Sequence, residues 1–510
     1  MILLLFLPSL IPELTEVCQA EGVGTRGVEN IVTILVGIRA VPKARIFDSP
    51  MCLKQNLHYS LYIYMPINVH FIIGVVIPRI EIPNVPGNIF VFGSNEIAQL
   101  GFDPEIVDTI KKPRLLEPLV NKNIVAISVS SLHNVAIDDQ GRVYSWGCND
   151  EGALGRNTDK IDEFIPAQVE GVDDVRIVKA ACGDNITFLL SDEGVLYAAG
   201  TYFDENGRLG FSREQLLHKQ IIFTKYKPVQ RIKFSDVACG ENHTLAITKK
   251  HELYVWGWNG MFQLGRKFNP RLNEKGSGLA PERIMRNIKK IFCGSWNSFV
   301  IDTSNKLYVW GLNNYGQCGF DPSQKESIIL PTRLDLDYDS TIKEIAAGQH
   351  HTIVLFEDGR MFSFGRCDDG QLGVGDNVMQ NQRFYTFSEV GRDPLSNKDN
   401  VTTTSKDVDN EISNYRKVRA WNNSNIAIAH DESIWSWGAG ESYNLGASKK
   451  DKNNVVINSI NNYLKQIFMN FLVAVSSQFK TKSKIIKARK KPAGFENNQM
   501  TISAKYVLTG

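Results

Sequence analysis

Short apolar runs broken by polar turns, not long helical periods, organise this chain. In Val237–Ile247 an apolar stretch runs into Ala238, Cys239 and Gly240, passes Glu241, Asn242 and His243, and resumes as an alternating run to Ile247. Ile345–Leu355 has the same shape, with Ala346, Ala347 and Gly348 ahead of Gln349, His350 and His351. An apolar run, a small-residue kink, a polar tip and a second alternating run predict two short strands around a tight turn. A second turn follows, as in Asp138–Gly141 or Glu357–Gly359, and then a third strand such as Arg142–Trp146.

The unit recurs. An aromatic-Gly pair, once Ala-Gly, is followed by a second glycine at Phe92-Gly93 to Gly101, Trp146-Gly147 to Gly155, Ala199-Gly200 to Gly210 and Trp256-Gly257 to Gly265. It continues at Trp310-Gly311 to Gly319, Phe364-Gly365 to Gly373 and Trp437-Gly438 to Gly446. Successive first glycines lie 54, 53, 57, 54, 54 and 73 residues apart. From the second copy on, Ser130, Gly183, Gly240, Gly294, Gly348 and Trp421 sit 16 residues ahead of the aromatic or Ala199. A sheet of about 54 residues cannot bury both its faces alone, whereas seven stacked around an axis can. The expected fold is therefore all-β, a closed seven-bladed β-propeller with small residues near the axis and aromatics between blades. Phe92-Gly93 has no hairpin before it, so the first blade's inner strands are expected from the carboxyl end, at Gln466–Val475.

Composition narrows the functions. Of 510 residues 43% are hydrophobic and 22% charged, enough apolar matter for a large core. Lys and Arg number 57 against 55 Asp and Glu, so any nucleic-acid contact must be local. The eight cysteines form neither a CxxC pair nor a metal-spaced cluster, which argues against a zinc site and a disulfide scaffold. Cys182, Cys239 and Cys293 each precede a repeat glycine and read as small core residues. No P-loop, nucleophile elbow or zinc-protease helix is present, so no enzyme chemistry, cofactor or metal is expected.

Three segments follow: an apolar leader over 1–85, the propeller over 86–479 and a basic tail over 480–510. The leader is expected to be poorly structured, or an incorrectly read start of the gene. Its residues 1–12 and the small-residue run Cys18–Ala20 resemble a signal peptide without a basic start. Residues 56–78 are 23 uncharged positions, long enough for a bilayer but interrupted by Pro66, Asn68 and His70. In the tail, residues 480–491 hold seven basic groups, Lys490 and Lys491 among them, and read as a DNA-attracting or import segment or a plain solvated tail.

The repeat resembles the regulator of chromosome condensation family, whose founding member is the nuclear guanine-nucleotide exchange factor of the small GTPase Ran. Val237–Ile247 fits that family's repeat signature, Ser145–Gly155 looks like its second repeat, and the likeness spans residues 86–446. The resemblance implies a monomeric exchange factor for Ran in the nucleus, bound to chromatin and supporting nucleocytoplasmic transport and mitosis. Implied partners are Ran and the histones of the nucleosome acidic patch; the family's basic targeting segments usually lie before the propeller, and here the basic tail is expected to serve DNA and an import receptor instead.

Site residues carry over by position. Gly200 to Gly210 spans ten residues where the other copies span eight, and the surplus falls where the family has a wedge that pushes against the GTPase. That assigns Tyr202, Phe203, Asp204, Glu205, Asn206, Gly207 and Arg208 to the wedge, with Phe203 in place of a basic residue. Glu96 and Asp184 match acidic residues of the GTPase-facing surface, Asn242 stands where a third acid is expected, and His351 or its neighbour His350 matches a histidine of that surface. Arg266, Arg271 and Lys275, in a basic loop of the fourth repeat, match the loop that grips histones.

Plainer readings stand beside these. His133, His243 and His351 all lie three residues after the repeat glycine or its substitute, as structural histidines would. Glu96, Asp184 and the basic loop could be solvated turns. The alternative function is a non-catalytic propeller scaffold for protein–protein interactions, membrane-attached through residues 56–78.

Overall fold

The computed structural model describes residues 80, 86–159, 163–267, 276–374, 384–390, 415–430, 434–440, 443 and 445–446, with four short strands before residue 75. It divides into two compact units, Met1–Arg79 and Ile80–Gly510. In the first, Leu35–Ala40 pairs antiparallel with Val69–Gly74, and Cys52–Leu53 with Leu61–Tyr62. The signal-peptide reading, the closing strands expected at 466–475 and most of 56–78 lie outside the described residues. Among the described residues no helix is long and apolar enough to cross a membrane.

The second unit is the seven-bladed β-propeller. Its second blade is an antiparallel sheet of Ile124–Val129, His133–Asp138, Val143–Gly147 and Ala167–Gln168, in that order. Blades three to six repeat it, and the third carries an extra three-stranded sheet of its own. The seventh blade has three described strands, Tyr415–Trp421, Ser424–Ala429 and Ile434–Gly438, and the first has two, Phe90–Ser94 and Thr109–Leu115. The ends of the ring meet, since Lys111 Nζ of the first blade lies 5.1 Å from the centre of the Tyr443 ring beyond the seventh.

The repeat pattern anticipates three strands per blade, and the structure adds a fourth. In the fifth blade it is Ser327–Leu334, which contains Pro331. Proline is tolerated there because the strand is the outer edge of its sheet and the missing N–H serves no ladder.

Packing between blades explains the aromatic positions. Trp146, Trp256, Trp310 and Trp437 are fully buried. The Trp310 indole donates to the carbonyl of Gln263 in the preceding blade at 2.8 Å, and that of Trp437 to Gln371 at 3.1 Å. Truncating such a residue to alanine costs about 3–5 kcal/mol.

A polar latch runs beside them. His133 Nε2 meets Thr187 Oγ1 of the next blade at 2.6 Å, and Thr187 donates back to Ala153 O at 2.8 Å. His243 uses Ser298 at 3.0 Å, which donates to Gln263 O, and His351 uses Asn425 Oδ1 at 2.6 Å, whose amide donates to Gln371 O. Because each hydroxyl already donates to a carbonyl, and Asn425 Oδ1 can only accept, all three rings carry their proton on Nε2. The periodic histidines are struts between blades.

The hairpin tips also join around the axis. Asp184 N–H donates to Glu241 O at 2.9 Å, Glu241 N–H to Ser295 O at 3.3 Å, and Gln349 N–H to Asn422 O at 2.9 Å. This close approach explains the repeat glycine: a Cβ on Gly240 would lie 2.4 Å from Gly294 O and 2.2 Å from His243 Cε1.

Candidate functional site

In every complete blade the second strand begins where the third ends. His243 pairs with Gly257, His133 with Gly147 and His351 with Gly365. The hairpin tips and the loops after each aromatic-Gly pair therefore share one end of the propeller. Glu96, Asp184, Asn242, His350, the wedge and Arg266 all fall on that end, though they are spread from the first blade to the sixth.

The segment expected to form the wedge is the extra sheet of the third blade. Tyr202–Asp204 pairs antiparallel with Gly207–Ser212, which pairs with Gln215–Leu216. Glu205 and Asn206 at the tip are exposed, and a Cβ on Gly207 would meet nothing within 4 Å. Asn206 N–H donates to Asp204 Oδ1 at 2.8 Å, tightening the turn, and Gly207 takes φ 110°, which favours glycine. Tyr202 is fully buried, so it is the root of the wedge and not part of its face. Its hydroxyl lies 2.7 Å from Thr244 Oγ1 of the fourth blade. Phe203 N–H donates to Asn242 Oδ1 at 3.0 Å. Arg208 makes a two-pronged pair with Glu151 of the second blade at 2.7 and 2.8 Å, which holds its guanidinium above its usual range.

The acidic candidates differ in setting. Glu96 is exposed, its N–H directed at Ser94 Oγ at 3.4 Å. Asp184 is half-buried on its hairpin tip, and burial, reinforced by the negative charge of Glu241, pushes its carboxyl up to about 7. Burial also raises Glu241, against opposing hydrogen bonds from Ser295 and Trp296. A half-desolvated carboxyl pair of this kind gains most from an incoming cation.

The two histidines separate. His351 is fully buried, bonded to Asn425, and burial lowers it to about 4. His350 is half-buried against Trp296 and Tyr315, with ring centres 5.2 and 4.7 Å away. Burial and the nearby Arg366 hold it down at about 4, so it presents a neutral ring.

Arg266 turns inward. Its guanidinium donates to the carbonyls of Ala280, Ser277 and Gly278 and pairs with Glu282 at 2.6 Å, with its side chain 13% exposed. It clamps the base of the basic loop. Arg271, Lys275, Lys490 and Lys491 lie outside the described residues.

Glu151, Trp258, Glu241, Trp296 and Tyr315 also stand at this end beside His350, and the hairpin-tip repeat marks Glu241 and Trp296, one and two residues after Gly240 and Gly294. Glu151 sits in an ordinary loop, and its pairing with Arg208 spans 57 residues. Among the described residues no group of three or more His, Cys, Asp or Glu could hold a metal ion.

Comparison with known proteins agrees with this architecture. The protein pim1 of Schizosaccharomyces pombe is 33% identical over 392 residues, covering 73% of this chain and 70% of that one. The guanine nucleotide exchange factor SRM1 of Saccharomyces cerevisiae is 30% identical over 437 residues, covering 77% and 86%. Among solved structures, Prp20p of Saccharomyces cerevisiae, described with its binding properties to Gsp1p and histones, superposes with a TM-score of 0.64 at 27% identity, covering 74% of this chain and 86% of that one. Yeast RCC1 (Prp20) bound to Kap60 gives the same TM-score at 26% identity, covering 79% and 91%. The repeats, the blade order and these likenesses converge on one model, the RCC1-like domain, which matches residues 88–480, and the chain belongs to that family.

Proposed function

We propose that this protein is a guanine-nucleotide exchange factor for the small GTPase Ran, acting in the nucleus at chromatin and so supporting nucleocytoplasmic transport and mitosis. The observation that carries the reading is the projecting hairpin Tyr202–Arg208, set on the same end of the propeller as the Asp184–Glu241 carboxyl pair. The exchange-factor name of SRM1 and the Gsp1p and histone binding studied for Prp20p support it.

An exchange factor makes and breaks no covalent bond. It binds the nucleotide-free GTPase more tightly than the nucleotide-bound form, and by linkage it weakens the hold on the nucleotide by the same factor. The wedge tip, Glu205 and Asn206, serves to displace the nucleotide-binding region. Glu96, Asp184 and Glu241 offer carboxylates to the GTPase lysine that nucleotide release leaves without its phosphate. Asn242 acts one step back, as the acceptor that holds the wedge backbone. Of the two histidines, His350 supplies the contact and His351 the frame.

In this reading residues 86–479 are the propeller, 1–85 the leader and 480–510 the basic tail. The tail, with Lys490 and Lys491, serves DNA and an import receptor, in line with the Kap60 complex of yeast RCC1. Histone contact falls to Arg271 and Lys275, with Arg266 anchoring their loop.

The test is release of fluorescent GDP from Ran by the full chain, beside Asp184→Ala. Strong acceleration that the variant loses is the expected result. A folded protein that leaves GDP release unchanged would make the propeller a scaffold instead.

A further inference from the structure

We propose that the wedge is a braced strut, and that Glu151 of the second blade is a positioning residue that keeps it from yielding when it presses on its partner. The inference rests on the exchange reading above.

The loop that carries the wedge differs from its counterparts in how it is held. In the first, second, fourth and fifth blades an asparagine two residues after the glycine of the aromatic-Gly pair closes the loop: Asn95, Asn149, Asn259 and Asn313 accept from the N–H of Leu100, Leu154, Leu264 and Cys318 at 2.8–3.0 Å. In the third blade that position is Tyr202. The loops of the first, second, fourth, fifth and sixth blades each also present a carbonyl to a side chain of the next blade. In the third blade the Tyr202 hydroxyl takes that place, against Thr244. The insertion has thus replaced both fastenings of an ordinary loop with one buried phenol.

One root would leave a hairpin free to rock, and three further contacts remove that freedom. Arg208 leaves the wedge toward the second blade and meets Glu151, whose side chain is only 15% exposed. On the opposite side Asn242 takes the Phe203 N–H, and the Trp258 indole donates to Glu205 at 3.0 Å. A two-pronged guanidinium–carboxylate pair fixes direction as well as distance, which a single bond does not. The braces come from the blades on either side, so sideways motion in either direction breaks one. An element that must displace a bound nucleotide works only if it is stiffer than what it displaces, and pre-set geometry serves that need.

The experiment compares wild type, Glu151→Ala, Glu151→Gln and the exchanged pair Glu151→Arg with Arg208→Glu. Three quantities are read: the maximal rate of GDP release from Ran at saturating exchange factor, the affinity for nucleotide-free Ran, and amide hydrogen exchange across residues 202–208. For Glu151→Ala we expect the maximal rate to fall about tenfold, the size of one charge-assisted bond, with a melting temperature lowered by no more than about 2 °C. Faster amide exchange confined to the wedge should accompany it, and the exchanged pair should recover most of the loss. Glu151→Gln, which keeps one acceptor, should fall between. A folded Glu151→Ala protein with full maximal rate and unchanged wedge protection overturns the proposal. So does a lowered rate that comes with unfolding in Glu151→Ala and is not recovered by the exchanged pair. If wild type itself fails to release GDP, the exchange reading fails, and wedge protection in Glu151→Ala still decides whether the brace exists.

Discussion

The N–H of Asp184 donates to the carbonyl of Glu241 at 2.9 Å, and this one bond between neighbouring blades sets two carboxyls side by side on adjacent hairpin tips. The arrangement opposes ionisation, because burial and the second negative charge both favour the protonated acid. Held at about 7, Asp184 binds its proton more tightly folded than unfolded. Its share of stability is therefore complete below about pH 4 and is lost as pH rises through about 7. Asp184→Asn should be on the order of 1–2 kcal/mol more stable than wild type at pH 8 and no different at pH 4, read by urea unfolding. GDP release by wild type should climb with pH across the same window, as the carboxylate forms. A flat profile would mean that Asp184 does not serve as an anion.

The buried histidines act in the opposite direction. His133, His243 and His351 are held at about 4, 3 and 4 by burial, so they fold neutral and charge once unfolded. His350, also held at about 4, adds a fourth, so stability should fall as pH drops from about 6.5 toward 4, with four protons taken up on unfolding, less the one that folded Asp184 retains. His243→Asn should reduce the slope by one proton, about 1.4 kcal/mol per pH unit, in unfolding measured across that range. An unchanged slope would place the acid sensitivity elsewhere.

Gly240 tests the ring of hairpin tips. With backbone and an immobile imidazole in the way, Gly240→Ala must push the fourth and fifth blades apart. A loss of about 2–4 kcal/mol is expected, visible as a lower melting temperature. Gly207→Ala, at the open tip of the wedge, has nothing to collide with and should lose only the smaller cost of its left-handed backbone, about 1 kcal/mol.

Asn242 tests the sequence departure. Its Oδ1 accepts from Phe203 N–H, and an aspartate offers the same oxygen. Asn242→Asp should therefore keep exchange within about threefold of wild type, while Asn242→Leu, which leaves that N–H unpaired, should lose about tenfold. Equal rates in all three would remove Asn242 from the machinery.

Much of this was legible along the chain, and each part for a local reason. The spacing of Gly93, Gly147 and their successors counted the blades, because every blade needs the same turn in the same place. The small-small-Gly kink marked the tips, and the ten-residue span to Gly210 marked the extra sheet of the third blade. The latch role of His133, His243 and His351 was open to the reading of a repeated structural residue. What the spacing could not carry was direction. It could not tell the buried His351 from the accessible His350, nor turn Arg266 inward toward Glu282, since neighbours in sequence can face opposite ways.

The sequence by itself determined the number of blades, three of the strands that recur in them and the site of the insertion, since these depend on backbone turns and apolar alternation within about 54 residues. Only the tertiary structure decided that Glu151 meets Arg208, that Tyr202 replaces a carbonyl against Thr244, and that burial and the charge of Glu241 suppress the ionisation of Asp184. Those relations join separate blades. The distances and the burial behind them arise only when the sheets close around a common axis.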